Sequence, residues 1–275
     1  MSSNSDQAAG IPVVVDDVGV DFASPRGAVA ALAGCSLTVP AGSFTVVIGP
    51  NGSGKSTLLR VVAGLLAPTR GAVTVGGSNP RPGDGRVGIA FQQPRLVPWR
   101  STVDNVALPL ELAGVAVDER NRRAMVALER VGLAAAAADL RPRELSGGMA
   151  QRAGLARALV GDPPVLLLDE PFSALDALTR ETFDGELQRL WMEERRTVIL
   201  VTHSVSEAVA LGDRVVVMTP QPGSVARIVE IDLPRPRPAA ELIGDPNAAR
   251  LAAEVRAALA SARAVELRRW AEGVA

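Results

Sequence analysis

Gly49-Pro-Asn-Gly-Ser-Gly-Lys55-Ser56-Thr57 follows a short apolar run rich in β-branched residues, Phe44–Ile48, and leads into a helix-forming stretch, Ser56–Leu66, closed by Ala67-Pro68. Strand, glycine-rich loop and helix in that order satisfy G-x-x-x-x-G-K-[ST] in the context that gives the pattern its meaning. Glycines let the backbone curl into a nest of N–H groups. The helix start adds the positive end of its dipole. Lys55 supplies a cation between the β- and γ-phosphates of a nucleotide, and the Ser56 hydroxyl can ligate Mg²⁺. The candidate binding residues are therefore Gly49, Pro50, Asn51, Gly52, Ser53, Gly54, Lys55, Ser56 and Thr57. The bland alternative is a chance glycine-rich turn; the flanking strand and helix argue against it. The motif implies a nucleoside triphosphate but not the machine that uses it.

Two further stretches bear on that question. In Val165-Leu-Leu-Leu-Asp169-Glu170-Pro171 the apolar residues read as a central strand that ends near Asp169, because Pro171 cannot continue the ladder. Carboxylates at the C-terminal end of such a strand sit where ligands bind in open α/β sheets. Asp169 is then the Mg²⁺ partner, through water, and Glu170 the candidate general base for an attacking water. A solvated surface turn is the other reading of this carboxylate pair. In Leu145-Ser146-Gly147-Gly148-Met-Ala-Gln151-Arg152, Ser146 is a good N-cap and the two glycines expose N–H groups at a helix start. This second anion site lies about 90 residues from the first. One chain cannot easily bring both to one phosphate, whereas two chains packed head to tail can. Taken alone, Ser-Gly-Gly is an ordinary capped helix.

Composition sets limits around these motifs. The 275 residues suffice for one or two domains and a sizeable core. Hydrophobic residues at 47% and charged residues at 21% exclude disorder for the bulk of the chain. Twenty-nine basic against thirty acidic residues leave a net charge of -1, which disfavours nucleic acid as the main ligand. Lys55 is the single lysine and His203 the single histidine, and tyrosine is absent. A lone cysteine, Cys35, forms no internal disulfide; it reads as a small buried hydrophobe in a cytosolic chain. Residues 1–10 are polar with no apolar h-region after them, so no signal peptide is expected. The longest uncharged stretch, Gly27–Gly54, is interrupted by Gly34, Pro40, Gly42 and Pro50 and is no membrane span. The chain is expected to be soluble, with any membrane role reached through a partner.

Along the chain, residues 1–11 read as a mobile leader. Strands are expected at Val13–Val15 and Val18–Phe22 (one strand or a pair), Cys35–Val39, Val73–Val75, Val87–Phe91, Thr197–Thr202, Arg214–Met218 and Val225–Ile231. From about Thr102 to Val160 the pattern is helical: Thr102–Leu112, Asp118–Val131, and a helix from Ser146. Helices at Ala177–Glu194 and Ser204–Leu211 alternate with strands, which implies a largely parallel sheet covered on both faces. Pro234-Arg-Pro-Arg-Pro238 reads as a stiff linker, and 239–270 as one helical segment.

The phosphate loop, Leu145–Gly148, Val165–Pro171, the Ser173-Ala-Leu-Asp176 that follows, and His203 occur in an order and at spacings that resemble the ATP-binding cassette (ABC) ATPases, over roughly residues 13–235. The resemblance implies an α/β fold: a P-loop NTPase (RecA-like) core with a β-rich N-terminal part and an inserted, mostly helical subdomain at about 93–160. Its division is a leader at 1–11, an ATPase domain at 12–235 and a helical tail at 236–275. By position it implies that Gln92, rather than Gln93, touches Mg²⁺ and the attacking water and senses a membrane partner. Asp176 spans a dimer interface, and His203 contacts the γ-phosphate. Phe22 stacks on adenine where most relatives use tyrosine or tryptophan; the other reading of Phe22 is a core residue of an early strand. The implied catalytic set is Glu170, His203, Gln92 and Lys55. Nucleotide is also bound by Ser146, Gly147 and Gly148, and metal by Ser56, Gln92 and Asp169. ATP and Mg²⁺ are the cofactors.

The implied assembly is a head-to-tail dimer of two copies on integral-membrane permease subunits, served indirectly by an extracytoplasmic solute-binding protein. That places the chain peripherally at the cytoplasmic face of the cell membrane, without nucleic acid. Arg95-Leu-Val-Pro-Trp99-Arg100, Glu170–Arg180, Pro222-Gly-Ser and Leu233-Pro-Arg-Pro-Arg resemble importers of the nitrate/sulfonate/taurine group, although Trp99 also reads as a core tryptophan. The alternatives are an ABC exporter subunit or a non-transport ABC ATPase. The latter would show coiled coils, a second cassette or a basic nucleic-acid face. A P-loop kinase or GTPase is a further rival. A GTPase would carry N-K-x-D, which the single lysine excludes. For the tail, a docking or regulatory role stands beside simple packing on the core.

Overall fold

Every position of Phe44–Ile48, Val165–Asp169 and Thr197–Val201 is buried, which requires strands covered on both faces. The structure, a computed structural model, describes residues 10–25, 27–171 and 177–271. Its elements run β1 (Val13–Ser24), β2 (Gly27–Val39), β3 (Phe44–Ile48), α1 (Lys55–Val62), β4 (Arg70–Val75), β5 (Val87–Ala90), α2 (Thr102–Leu112), α3 (Val117–Arg130) and α4 (Gly147–Leu159). There follow β6 (Val165–Asp169), α5 (Ala177–Glu194), β7 (Thr197–Val201), α6 (Val205–Leu211), β8 (Arg214–Met218), β9 (Val225–Glu230), α7 (Ala239–Leu242) and α8 (Pro246–Ala271).

The main sheet has the order β5-β6-β7-β3-β8-β9, parallel except for the antiparallel edge strand β9. Side chains alternate across it, as a pleat with a period of two demands. Phe44, Val46, Ile48, Leu166, Leu168 and Leu200 enter one core with the helices. Val47, Val165, Leu167, Ile199 and Val201 enter a second core with α1 and the smaller antiparallel sheet, β2-β1-β4. Cys35 is fully buried in that second core. The runs at 13–15 and 18–22 form one strand. A register shift between Val15 and Val18 lets Asp16 and Asp17 bulge while pairing with β2 resumes beyond them.

The helical stretch hangs on the main sheet through α4. Asn105, fully buried on α2, accepts from the Val97 amide (2.6 Å) and donates to the Ser101 carbonyl (2.9 Å), pinning the loop that leads from β5. Thr102 donates to the Leu140 carbonyl (2.7 Å). Gln151 of α4 donates through Nε2 to the Gln92 carbonyl (2.7 Å), so α4 is tied to the segment after β5.

Several expectations are corrected. The helix after the phosphate loop ends at Val62 rather than Leu66. Leu65 and Gly64 donate back to the carbonyls of Arg60 (2.9 Å) and Val61 (3.0 Å), a Schellman turn that needs the left-handed φ of 69° at Gly64. The Pro234–Pro238 stretch, read as a stiff linker, keeps its prolines exposed but is tied to the core by its two arginines. Arg237 is 5% exposed and donates to the carbonyls of Val209 (3.1 Å), Gly212 (2.6 Å), Ile231 (3.2 Å) and Leu233 (2.7 Å), closing the C-terminal end of α6. Arg235 pairs with Asp213 (2.8 Å) and lies 4.3 Å from the Trp191 ring centre. The 239–270 segment is broken, α7 ending before Gly244 and α8 starting at Pro246. In α8, Leu251, Val255, Ala258 and Ala262 are buried in the same core as β3, so this helix packs on the sheet. Trp99 is 75% exposed; it occupies the tip of a turn closed by the Arg100 amide and the Val97 carbonyl (3.2 Å), which excludes the core reading.

Candidate functional site

The C-terminal ends of β3 and β6 open onto one cavity of about 1010 Å³. Its floor is the loop from Gly49 to Thr57, and Gln92, Glu170 and His203 stand at its wall. Gly54 caps α1 with a left-handed φ of 80°, and a side chain there would meet the Ala31 carbonyl at 2.7 Å. Glycine is thus required twice over at this position. Lys55 is 7% exposed, its Nζ donating to the carbonyls of Gly49 (3.0 Å) and Pro50 (2.9 Å). Burial pulls its ammonium below the usual lysine range, while the charges of Glu170 and Asp169 act in the opposite direction.

Beside the loop, Ser56 Oγ donates to Asp169 Oδ1 (3.0 Å). Asp169 is 8% exposed, and burial raises its carboxyl above the usual range despite that hydrogen bond. Glu170 has a φ of 45°, an uncommon conformation for a residue with a side chain, and its amide donates to the Val201 carbonyl (2.9 Å). The turn forced here ends β6. Gln92 Nε2 donates to Glu170 Oε2 (3.3 Å), and His203 Nδ1 stands 3.5 Å from the same oxygen. Two side chains that follow β5 and β7 thus converge on the carboxylate that follows β6, beside the phosphate loop.

Asp169 stands behind Ser56 rather than in the described wall. Phe22, opposite Val29 on the β1–β2 ribbon, is 41% exposed, which excludes a core role, and it is not among the described lining residues. Ser146 caps α4, accepting from the Met149 amide (3.2 Å), but Ser146, Gly147 and Gly148 are absent from the described wall. Asp176, with Ser173, Ala174 and Leu175, lies outside the described residues. Sequence reasoning missed Ala31 of β2 and Leu259 and Arg263 of α8, all of which line the cavity. The alanine- and arginine-rich tail has a helical period but carries no signal for which turn meets the phosphate loop. No described helix is long and apolar enough to cross a membrane.

The geometry offers a phosphate cradle, a hydroxyl–carboxylate pair for a hard cation, and a carboxylate base steadied by an amide and an imidazole. A model of the ABC transporter family matches residues 32–173. The chain is 44% identical to a nitrate import ATP-binding protein of Synechococcus elongatus, covering 87% of this chain and 88% of that protein. It is likewise 44% identical to a taurine import ATP-binding protein of Rhizobium johnstonii, covering 90% and 96%. Among solved structures it resembles an ATP-binding cassette described as a dimer in a post-hydrolysis state bound to ADP and Pi. There the TM-score is 0.74 and the identity 32%, over 80% of this chain and 99% of that one.

Proposed function

Because this chain belongs to the ABC transporter family, we propose that it is the ATP-hydrolysing subunit that powers a membrane importer for nitrate, sulfonate, taurine or a related small solute. One observation carries the chemistry: Glu170 Oε2 is held by Gln92 (3.3 Å) and His203 (3.5 Å) at the mouth of the Lys55 loop. Phosphoryl transfer asks of a protein mainly positioning and charge neutralisation. The loop and Lys55 hold the triphosphate. Glu170 takes the proton of the attacking water, and Gln92 and His203 fix the carboxylate toward it.

The residues present fit a Mg²⁺ ion. Asp169 is buried beside Glu170, and among the described residues its side-chain donor is the Ser56 hydroxyl, another oxygen ligand. Ser56, Asp169 and Gln92 would hold the ion, which neutralises phosphate charge when bound. Nucleotide phosphates and water would supply the remaining ligands of such an ion.

Residues 12–235 form the ATPase unit in this reading, with the helical part at about 93–160 inserted and 236–275 as tail. Ser146, Gly147 and Gly148 of one copy, with Asp176 across the interface, close on the nucleotide held by a second copy, and Phe22 stacks on adenine. Nucleotide then selects the closed dimer, and its hydrolysis releases it. The dimer sits on permease subunits at the cytoplasmic face of the membrane, and an extracytoplasmic solute-binding protein delivers the solute. Light scattering on Glu170→Gln tests this. ATP should convert monomer to dimer, and adding Ser146→Arg should abolish the conversion while leaving nucleotide binding within about threefold, because that residue caps a helix outside its own chain's cavity. A monomer that ATP never dimerises, even with permease supplied, overturns the proposal.

A further inference from the structure

The terminal helix α8 reaches the nucleotide cavity. Leu251, Val255, Ala258 and Ala262 fasten it to the main core. Leu259 and Arg263 are one turn apart on the adjoining stripe, and both line the cavity floored by the Lys55 loop. The charge along that wall is uneven. Lys55, buried, already donates to two loop carbonyls. Arg263 is exposed and makes no ion pair among the described residues. By contrast, Glu254, two turns earlier, is taken by Arg227 (2.7 Å) and Arg250 (3.8 Å). Among the described lining residues, Lys55 and Arg263 are the only lysine or arginine, facing Glu170 as the only carboxylate.

We infer that Arg263 is a second cation of the nucleotide site, contacting the phosphates of the ATP held by its own chain. The tail is then part of the nucleotide-binding surface as well as a packing helix. A planar guanidinium offers a two-pronged donor suited to phosphate oxygens. The buried residues that seat α8, Ala248, Leu251, Val255, Ala258 and Ala262, do not include Arg263, so replacing it leaves the helix docked. The inference rests on the cavity being the ATP site, and the experiment separates the two.

Calorimetric titration with Mg-AMP-PNP, which is not hydrolysed, compares wild type with Arg263→Ala, Arg263→Glu, Arg263→Lys and Lys55→Ala. Arg263→Ala should weaken binding about three- to tenfold, the span between an exposed ion pair and a charge-assisted hydrogen bond. Arg263→Glu should weaken it further, and Arg263→Lys should recover part of the loss, because a point charge still reaches phosphate without the two-pronged geometry. If Lys55→Ala loses affinity while Arg263→Ala does not, this inference falls and the proposed function stands. If Lys55→Ala binds as wild type does, the cavity is not the ATP site and both fall. A loss in Arg263→Ala that Arg263→Lys fails to restore even in part overturns the charge contact.

Discussion

Replacing Glu170 by glutamine changes one proton-accepting oxygen and little else. The side chain keeps its length, and its amide can still bond Gln92, which now holds Oε2 at 3.3 Å. The phosphate-holding groups, Lys55 and the loop amides, are untouched. Removing a positioned general base costs about 10²–10⁴-fold in rate, or about 2.7–5.4 kcal/mol of barrier at 1.36 kcal/mol per decade. Binding should move the other way. The carboxylate is a like charge beside the triphosphate, and its neutralisation leaves ATP affinity equal or higher. Phosphate release at saturating Mg-ATP, paired with nucleotide titration, separates the two quantities. A fall in turnover of at least a hundredfold with undiminished affinity is expected. A variant turning over within about threefold of wild type would show that the base lies elsewhere, and a parallel loss of affinity would show that Glu170 holds nucleotide rather than activating water.

Other outcomes follow from the packing. Asp184 on α5 has a buried carboxyl oxygen with no partner among the described residues. Burial, then the charge of Glu207, pushes its carboxyl up to about 8. The folded chain keeps a proton that the unfolded chain releases near pH 4, so stability falls as pH rises from about 4 to about 8. Asp184→Asn should gain about 1–3 kcal/mol at pH 8 and little at pH 4; melting curves with the same slope as wild type would refute it. Arg237→Met strands the carbonyls of Val209, Gly212, Ile231 and Leu233 and should cost about 2–4 kcal/mol in urea unfolding; a loss under 1 kcal/mol would deny the clamp. Trp99→Ala, at an exposed turn, should change stability by less than about 0.5 kcal/mol and leave the isolated ATPase unchanged, so a cooperative loss of fold would contradict its exposure.

The parts of the fold legible in sequence are those where burial leaves no choice. Phe44–Ile48 and Val165–Asp169 are apolar at almost every position, and the observed strands have those bounds. Thr102–Leu112 is helical as its pattern suggests, and the structure adds its cap, Ser101, whose hydroxyl accepts from the Asp104 amide (3.2 Å). The grouping of Gln92 and His203 with Glu170 came through the family resemblance, and the parallel sheet shows why it holds: the ends of β5, β6 and β7 share one edge. Arg235 and Arg237 were illegible for a physical reason. Proline alternating with arginine looks solvated, and the three prolines are; Arg237 is buried because carbonyls of both α6 and its own approach segment accept its donors. Arg263 was illegible because a helix period fixes a stripe but not what that stripe faces.

The bond from Gln151 to the Gln92 carbonyl joins the helix capped by Ser146 to the segment that follows β5. The α4 tip, capped by Ser146, lies outside the described wall of its own chain's cavity, whereas Gln92 lines that cavity. If a partner's nucleotide binds that tip, as proposed, a displacement of the helix would pull on the strand end beside Gln92. In a paired assembly each protomer would carry a short tether between the two fuel chambers, so that emptying one is felt in its neighbour before any larger movement begins.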